Sequence, residues 1–504
     1  MTPRKQALIL FAGAVLFAAI AAFLRPAPMT VGEEVVALSA AGRICIALLA
    51  LAIVLWITEA LPFHVTALVV MLAMPLLGVT DGMAVLRGGA VDPIHGIAAG
   101  YKEIVRMSFG NDLLLFFLGV FFLSAAFSET SLGQRLTLGM LRIVGTSTRR
   151  VILGFLVLGT LLSMWVSNVG VAAIMLPIGV GILRQAGRKP LESNLGRALM
   201  IACCWGPIFG GIATPAGCGP NPIAIAYMRD IAGMNISFVD WMMIGVPTAL
   251  LLIPFGWVVL ILLFPPEIAA LPLTREDIEV QRRELGPLDR REKAATLVFL
   301  TVIILWVGNP LLLHWTDGAV DLPISLVSIL GGLFLILPPF RVLTWEQANR
   351  ATSWDSILLI MSSLGIGMMA WHTGAARWMA VALLSDITAL GPVVLIFVVV
   401  LVVILMKLFL ASNTVTGIII IPILISLAQA FDLPAWSLVG PAAFTSSLGI
   451  ILVTQTPTNV IPYTAGYFSI QDFAKAGIIM SLIMVVLVAG MIAVLGPLTG
   501  MYQY

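Results

Sequence analysis

The chain has 504 residues, 60% of them hydrophobic and only 10% charged, with a mean hydropathy of +1.08. Its 27 basic and 25 acidic side chains cannot clothe a soluble surface of this size, and the same figures exclude intrinsic disorder. A formal net charge of +2 without a basic domain excludes a nucleic-acid binder. What remains is an all-α polytopic membrane protein, because the apolar runs are long and unalternated.

Reading for runs of about 17–25 apolar residues predicts eleven transmembrane helices and two re-entrant hairpins. The first span, 7–24, follows Arg4 and Lys5 but outlasts the apolar core of a signal peptide, so 1–43 reads as a span and an outer loop. Spans at 44–60, 64–79 and 112–128 follow. The stretch 151–183 is too long for one crossing and has a Ser-Asn pair near its middle, which fits a hairpin that enters the membrane and turns back. A broken helix at 198–228 and a span at 239–264 complete this half. Segment 265–294 mixes both signs of charge (Arg275, Glu276, Asp277, Arg282, Arg283, Glu284) and reads as a cytoplasmic linker. The second half runs through 296–314, 322–339, 355–372, a second over-long hairpin stretch at 393–428, a broken helix at 436–462 and a last span at 477–499. Irregular backbone at membrane depth is tolerated only where it is packed in protein or lines a cavity. Cys45, Cys203, Cys204 and Cys218 lack metal-like or redox-like spacing and read as small buried hydrophobes, with Cys218 inside a loop of interest. His64, His95, His314 and His372 read as interfacial residues. Trp56, Trp306 and Trp371 read as interface anchors.

Basic residues set sidedness. With the N-terminus inside, only Arg25, Arg43, Arg87, Lys102, Arg106, Arg229 and Arg377 fall outside, Lys407 falls within the membrane, and all other Lys and Arg fall inside. The expected location is a bacterial inner membrane, with the N-terminus cytoplasmic and the C-terminus outside.

The halves 44–264 and 295–504 match. Asp112 and Thr130 correspond to Asp355 and Thr373, Ser167-Asn168 to Ser412-Asn413, Asn221 to Asn459, and Ser237, Asp240 and Gly245 to Ser469, Asp472 and Gly477. Each half holds five spans and a hairpin. Five is odd, so the second copy lies upside down, the arrangement of secondary transporters that bind substrate at the midplane.

The chemistry falls at the hairpin turns: Ser163, Ser167, Asn168 and Val169 at the first; Ala411, Ser412, Asn413 and Thr414 at the second. Hydroxyls and carboxamides within an apolar stretch are costly unless paired. Free N–H groups opening the returning helices attract anions. Two such tips facing each other would hold two separated carboxylates. Helix breakers at 214–222 and 454–459 would free carbonyls for Na+, a hard cation that prefers oxygen.

These motifs resemble the divalent anion/sodium symporters, a family that includes Na+-coupled dicarboxylate and citrate transporters, over residues 40–500. The resemblance implies a scaffold, a moving transport domain, a homodimer and an elevator motion. It places Ser167, Asn168, Val169, Ser412, Asn413, Thr414, Thr456 and Pro457 at the substrate. It places Ser163, Ser167, Asn168 and Gly217 at one Na+, and Ala411, Asn413 and Gln455 at another. The chain departs from the pattern at Val169, where the family has Thr, at Cys218-Gly219, and at Leu408-Phe409 before the second tip. The second Na+ position is thereby put in question, and Lys407 could supply a fixed charge in place of that cation.

The leading expectation is therefore a carrier of di- or tricarboxylate anions, a Na+ symporter. The alternatives are a Na+-independent anion exchanger built on Lys407, and a sulfate or sulfonate carrier. An intramembrane enzyme is not expected, because no His or Lys shares the Ser167 hairpin within the membrane and no HExxH occurs.

Overall fold

The computed structural model describes residues 2–31, 34–87, 90–272, 275–385 and 390–500. Met1 and 501–504, at the ends of the predicted terminal regions, and 273–274, in the predicted linker, lie outside the described residues, as do 32–33, 88–89 and 386–389. The described chain is almost wholly helical, since a backbone in lipid must satisfy its own polar groups.

Helix α1 (Pro3–Phe23) stands first. Ten helices follow: α2 (Ala40–Thr58), α3 (Phe63–Leu76), α4 (Ile97–Met107), α5 (Leu113–Ser128), α6 (Leu132–Val144), α7 (Thr148–Ser163), α8 (Asn168–Gln185), α9 (Asn194–Gly211), α10 (Pro220–Asp230) and α11 (Phe238–Leu263). Helix α12 (Arg275–Glu284) occupies the charged linker. Ten more complete the chain: α13 (Arg290–Trp315), α14 (Ile324–Ile336), α15 (Trp345–Ala351), α16 (Trp354–His372), α17 (Ala375–Leu384), α18 (Pro392–Met406), α19 (Asn413–Ala430), α20 (Ala435–Ser446), α21 (Pro457–Tyr463) and α22 (Ile470–Leu498). Among the described residues, eight helices are long and apolar enough to cross a membrane individually.

Ten helices, α2–α11, precede α12 and ten, α13–α22, follow it, and several helix pairs pack in corresponding positions. Helix α5 packs on α14 and α16 on α3; α7 packs on α9 and α18 on α20; α8 meets α21 and α19 meets α10; α11 and α22 pack on each other. The matched residues do equivalent work. Ser237 with Asp240 and Ser469 with Asp472 form capping boxes that satisfy the first N–H groups of α11 and α22. Gly245 and Gly477 each lie against an unwound carbonyl, so that a Cβ on Gly245 would sit 2.6 Å from Ile212 O. Small residues let helices approach, as where Gly119 of α5 meets the backbone of Ser328 in α14.

The structure also revises the reading. Helices α4, α6, α15 and α17 are too short or too polar for a hydropathy search for spans. Two antiparallel strand pairs, Met29–Val31 with Glu34–Val36 and Ala84–Arg87 with Ala90–Pro93, interrupt an otherwise helical fold. Trp56 and Trp306 are not interface anchors. Both are buried, with the indole N–H groups donating to Phe63 O and Ile324 O, and Trp306 is stacked on Phe238.

Candidate functional site

Each hairpin turns where a hydroxyl can replace a missing backbone partner. Ser167 caps α8, accepting from Gly170 N at 3.2 Å. Ser412 caps α19, accepting from Val415 N at 3.4 Å. The caps leave Asn168 and Asn413 as first residues of their helices, aimed at the two unwound segments. Those segments are held by two further asparagines. Asn221 donates to Gly211 O (2.7 Å) and Thr214 O (2.8 Å); Asn459 donates to Gly449 O (2.8 Å) and Leu452 O (3.3 Å). Each carboxamide thus bonds the carbonyls ten and seven residues upstream, replacing helical bonds lost at the break.

The two tips and both unwound segments line one cavity of about 440 Å³. Ser167, Asn168 and Val169 come from hairpin one, and Ala411, Ser412, Asn413 and Thr414 from hairpin two. Gly217 and Cys218 come from the first break, Thr456 and Pro457 from the second. The opposite wall is apolar, with Phe117, Val120 and Phe121 of α5 and Leu359 and Ile360 of α16. His64 and Asp355, 3.6 Å apart, stand at the end of the cavity nearer α12. That is the end at which α5 finishes, where Gln347 of α15 donates to Glu129 at 2.7 Å. The start of α5 is tied to α10 and α14 instead: Arg229 pairs with Asp112 at 3.1 Å, and Ser325 donates to Asp112 at 2.7 Å.

Behind the first tip is an oxygen cluster. One terminal atom of the Asn168 carboxamide lies 2.6 Å from Ser163 Oγ, 2.9 Å from Gly217 O and 3.3 Å from Pro207 O. Turned nitrogen-first, the amide donates to all three. Turned oxygen-first, it accepts from Ser163 Oγ and completes a set of four oxygens, the donor type that a hard cation such as Na+ takes.

The second tip differs. Lys407, 1% exposed, directs its terminal amino group to Asn413 Oδ1 and to Ser446 O, the latter at 2.6 Å. It does not snorkel. The Gln455 carboxamide is spent, accepting from Ile451 N (2.9 Å) and Leu452 N (3.1 Å) and donating to Lys407 O (3.0 Å). These residues do not fit a second cation while the lysine occupies them.

A family model described as the sodium:sulfate symporter transmembrane region matches residues 7–502. The chain belongs to this family. Relatives within reach include the sodium-dependent dicarboxylate transporter SdcS of Staphylococcus saprophyticus, 31% identical over 88% of this chain and 84% of that protein. SdcS of Staphylococcus aureus strain USA300 is 28% identical over 86% and 82%. Among solved structures, the Alcanivorax borkumensis YdaH transporter, described as having an unusual topology, overlays with a TM-score of 0.56 at 16% identity, covering 86% of this chain and 98% of that one. The likeness to YdaH concerns the fold alone. Family membership and apolar helices together make this an integral membrane protein.

For this symporter-family chain, the eight residues expected at the substrate all line the cavity, whereas Ser163, Gln455 and Lys407 lie behind its wall. Several groups escaped the sequence reading. The carbonyls of Pro207 and Ser446 carry no side-chain signal. Ser124, 3.5 Å from Ser167 Oγ, is one hydroxyl in an apolar run and could have been flagged. His64, read as interfacial, borders the cavity.

Proposed function

We propose that this protein is a secondary active carrier of dicarboxylate anions, driven by Na+, in a bacterial inner membrane. The observation that carries the reading is the single cavity onto which both Ser-Asn tips and both breaks converge. Ser167, Ser412 and Thr414 offer hydroxyls, and the starts of α8 and α19 offer free N–H groups at positive helix ends. Two such ends across one cavity suit an elongated anion with a carboxylate at each end, and a tricarboxylate extends the same class. The names of the SdcS relatives support the substrate class and the coupling ion.

Ser163 Oγ, Asn168 Oδ1, Pro207 O and Gly217 O would hold Na+ directly behind the first tip. Bound there, the ion supplies a positive charge that offsets one carboxylate and ties anion uptake to the sodium gradient. The units 44–264 and 295–504 are inverted repeats in this reading, the N-terminus is cytoplasmic and the C-terminus outside. The hairpins and breaks move together as an elevator against a scaffold built from α2, α3, α5, α13, α14 and α16, within a homodimer. The route in is at the end where His64 and the largely exposed Asp355 line the cavity.

A second reading is favoured by Lys407. Its ammonium would serve as a tethered cation at the second tip, which in the limit makes the protein a Na+-independent exchanger. Proteoliposome uptake of a dicarboxylate, with and without Na+ and with and without internal dicarboxylate, separates the two. Na+-driven uptake into empty vesicles is expected. Uptake that ignores Na+ and requires internal substrate establishes exchange, and uptake of sulfate in preference to any dicarboxylate overturns the substrate class.

A further inference from the structure

Two apolar cavities lie on either side of α6, apart from the cavity that both tips share; the larger reaches Leu162 and Trp165 beside the first tip. Helix α6 leaves α5 at a 62° bend. It buries Leu132, Leu138 and Leu141 but leaves Leu136 and Ile143 at 44% and 87% exposure, as a helix lying in a membrane interface does. One cavity, about 840 Å³, lies between α6, α12, α13 and the first hairpin, walled by Phe127, Leu136, Leu162, Trp165, Phe299 and Leu300. The other, about 540 Å³, lies between α6 and α7, walled by Leu136, Met140, Leu153, Val157 and Leu161. Both volumes are typical of ligand sites, about 300–1,000 Å³.

The polar residues of these cavities are mostly basic. Arg282, Arg283 and Glu279 border the larger and Arg150 the smaller. Arg135 borders both, but its guanidinium is spent on Glu292 and on the carbonyls of Leu285, Gly286 and Pro287. Arg282 reaches Glu279 at 3.4 Å, while Arg283 and Arg150 have no ion pair among the described residues. A free inorganic anion would gain charge contacts here but would face walls that cannot replace its water. An amphiphile satisfies both parts, and the charge complementarity selects an anionic one.

We infer that these cavities bind anionic phospholipid from the leaflet on the α12 side, with the phosphate against Arg282 and Arg283 in the larger and Arg150 in the smaller, and the acyl chains along the walls. Basic pockets between membrane helices recognise lipid headgroups in this way. Helix α6 joins α5 to hairpin one, so lipid held on both sides of it bears on how freely that hairpin moves. The inference is independent of the transported substrate.

The test uses purified full-length protein in phosphatidylcholine bilayers with and without phosphatidylglycerol, reading retained lipid by native mass spectrometry and the unfolding temperature. Phosphatidylglycerol is expected to be retained preferentially and to stabilise, and inorganic phosphate alone to do neither. R282Q/R283Q should weaken retention about fivefold per arginine removed, and high salt should weaken it as well. R282K/R283K should keep most of it, because a point charge suffices. Glu279→Gln, which removes the one acidic group lining that cavity among the described residues, should strengthen retention, and this arm holds even if the double variant fails to fold. Equal retention of neutral lipid, stabilisation by phosphate alone, or no increase in E279Q would each overturn the inference.

Discussion

Replacing Lys407 tests the idea of a tethered cation. Lys407→Met keeps an unbranched apolar stem but removes the donor, leaving Asn413 Oδ1 and Ser446 O enclosed without the partner they have now. Each orphaned acceptor costs about 1–3 kcal/mol, so the penalty is about 2–6 kcal/mol. Part of it is offset because a buried ammonium no longer has to be stripped of water. Lys407→Ala removes the stem as well and opens a polar cleft beside Gly449, where a Cβ would lie only 3.2 Å from Lys407 Nζ in the native protein. Both variants should be destabilised in K+. On exchange of K+ for Na+, K407A should recover stability and K407M should not. A recovery of about 2.7 kcal/mol corresponds to Na+ at about 100 times its dissociation constant. Uptake by K407A should also become steeper in Na+ than native uptake. The assays are detergent-phase thermal unfolding in matched chloride salts and proteoliposome uptake against Na+ concentration. Identical unfolding of the two variants in both salts, with native Na+ dependence in K407A, refutes the reasoning.

Three further outcomes are expected. Asn168→Ala and Asn413→Ala should each nearly abolish uptake while leaving membrane expression intact, as each removes a carboxamide that no neighbour replaces; near-normal uptake by both would move the binding site elsewhere. A small maleimide should label Cys218, which lines the cavity 3.6 Å from Asn413 Nδ2, and spare the buried Cys45, Cys203 and Cys204. Dicarboxylate should slow that labelling, and mass spectrometry of labelled peptides reads both. Gly211→Ala should destabilise by about 1–3 kcal/mol and lower Na+ affinity, since its Cβ would lie 2.5 Å from Asn168 Nδ2 and push that side chain off the oxygen cluster; unchanged Na+ dependence in G211A argues against a cation at Asn168.

The sequence by itself determined much of this protein. Long apolar runs fix which segments enter the membrane, because an unpaired backbone in lipid is too costly for any structure but a helix or a barrel. Each Ser-Asn pair coincides with a break between two helices, α7 and α8 or α18 and α19, since polar residues in an apolar stretch need a structural reason. The matched Ser237 and Ser469 foretold equivalent helix starts. Composition could not show α6 or α17 as separate helices, because α6 follows α5 across a sharp bend and α17 has only 10 residues. Only the tertiary structure decided the partners. It brought Pro207 and Gly217 carbonyls to Asn168, and it set Lys407 against Ser446, 39 residues away in the chain. Backbone carbonyls are the same in every residue, so no sequence pattern marks which of them will face a buried charge; only the folded path of the chain does.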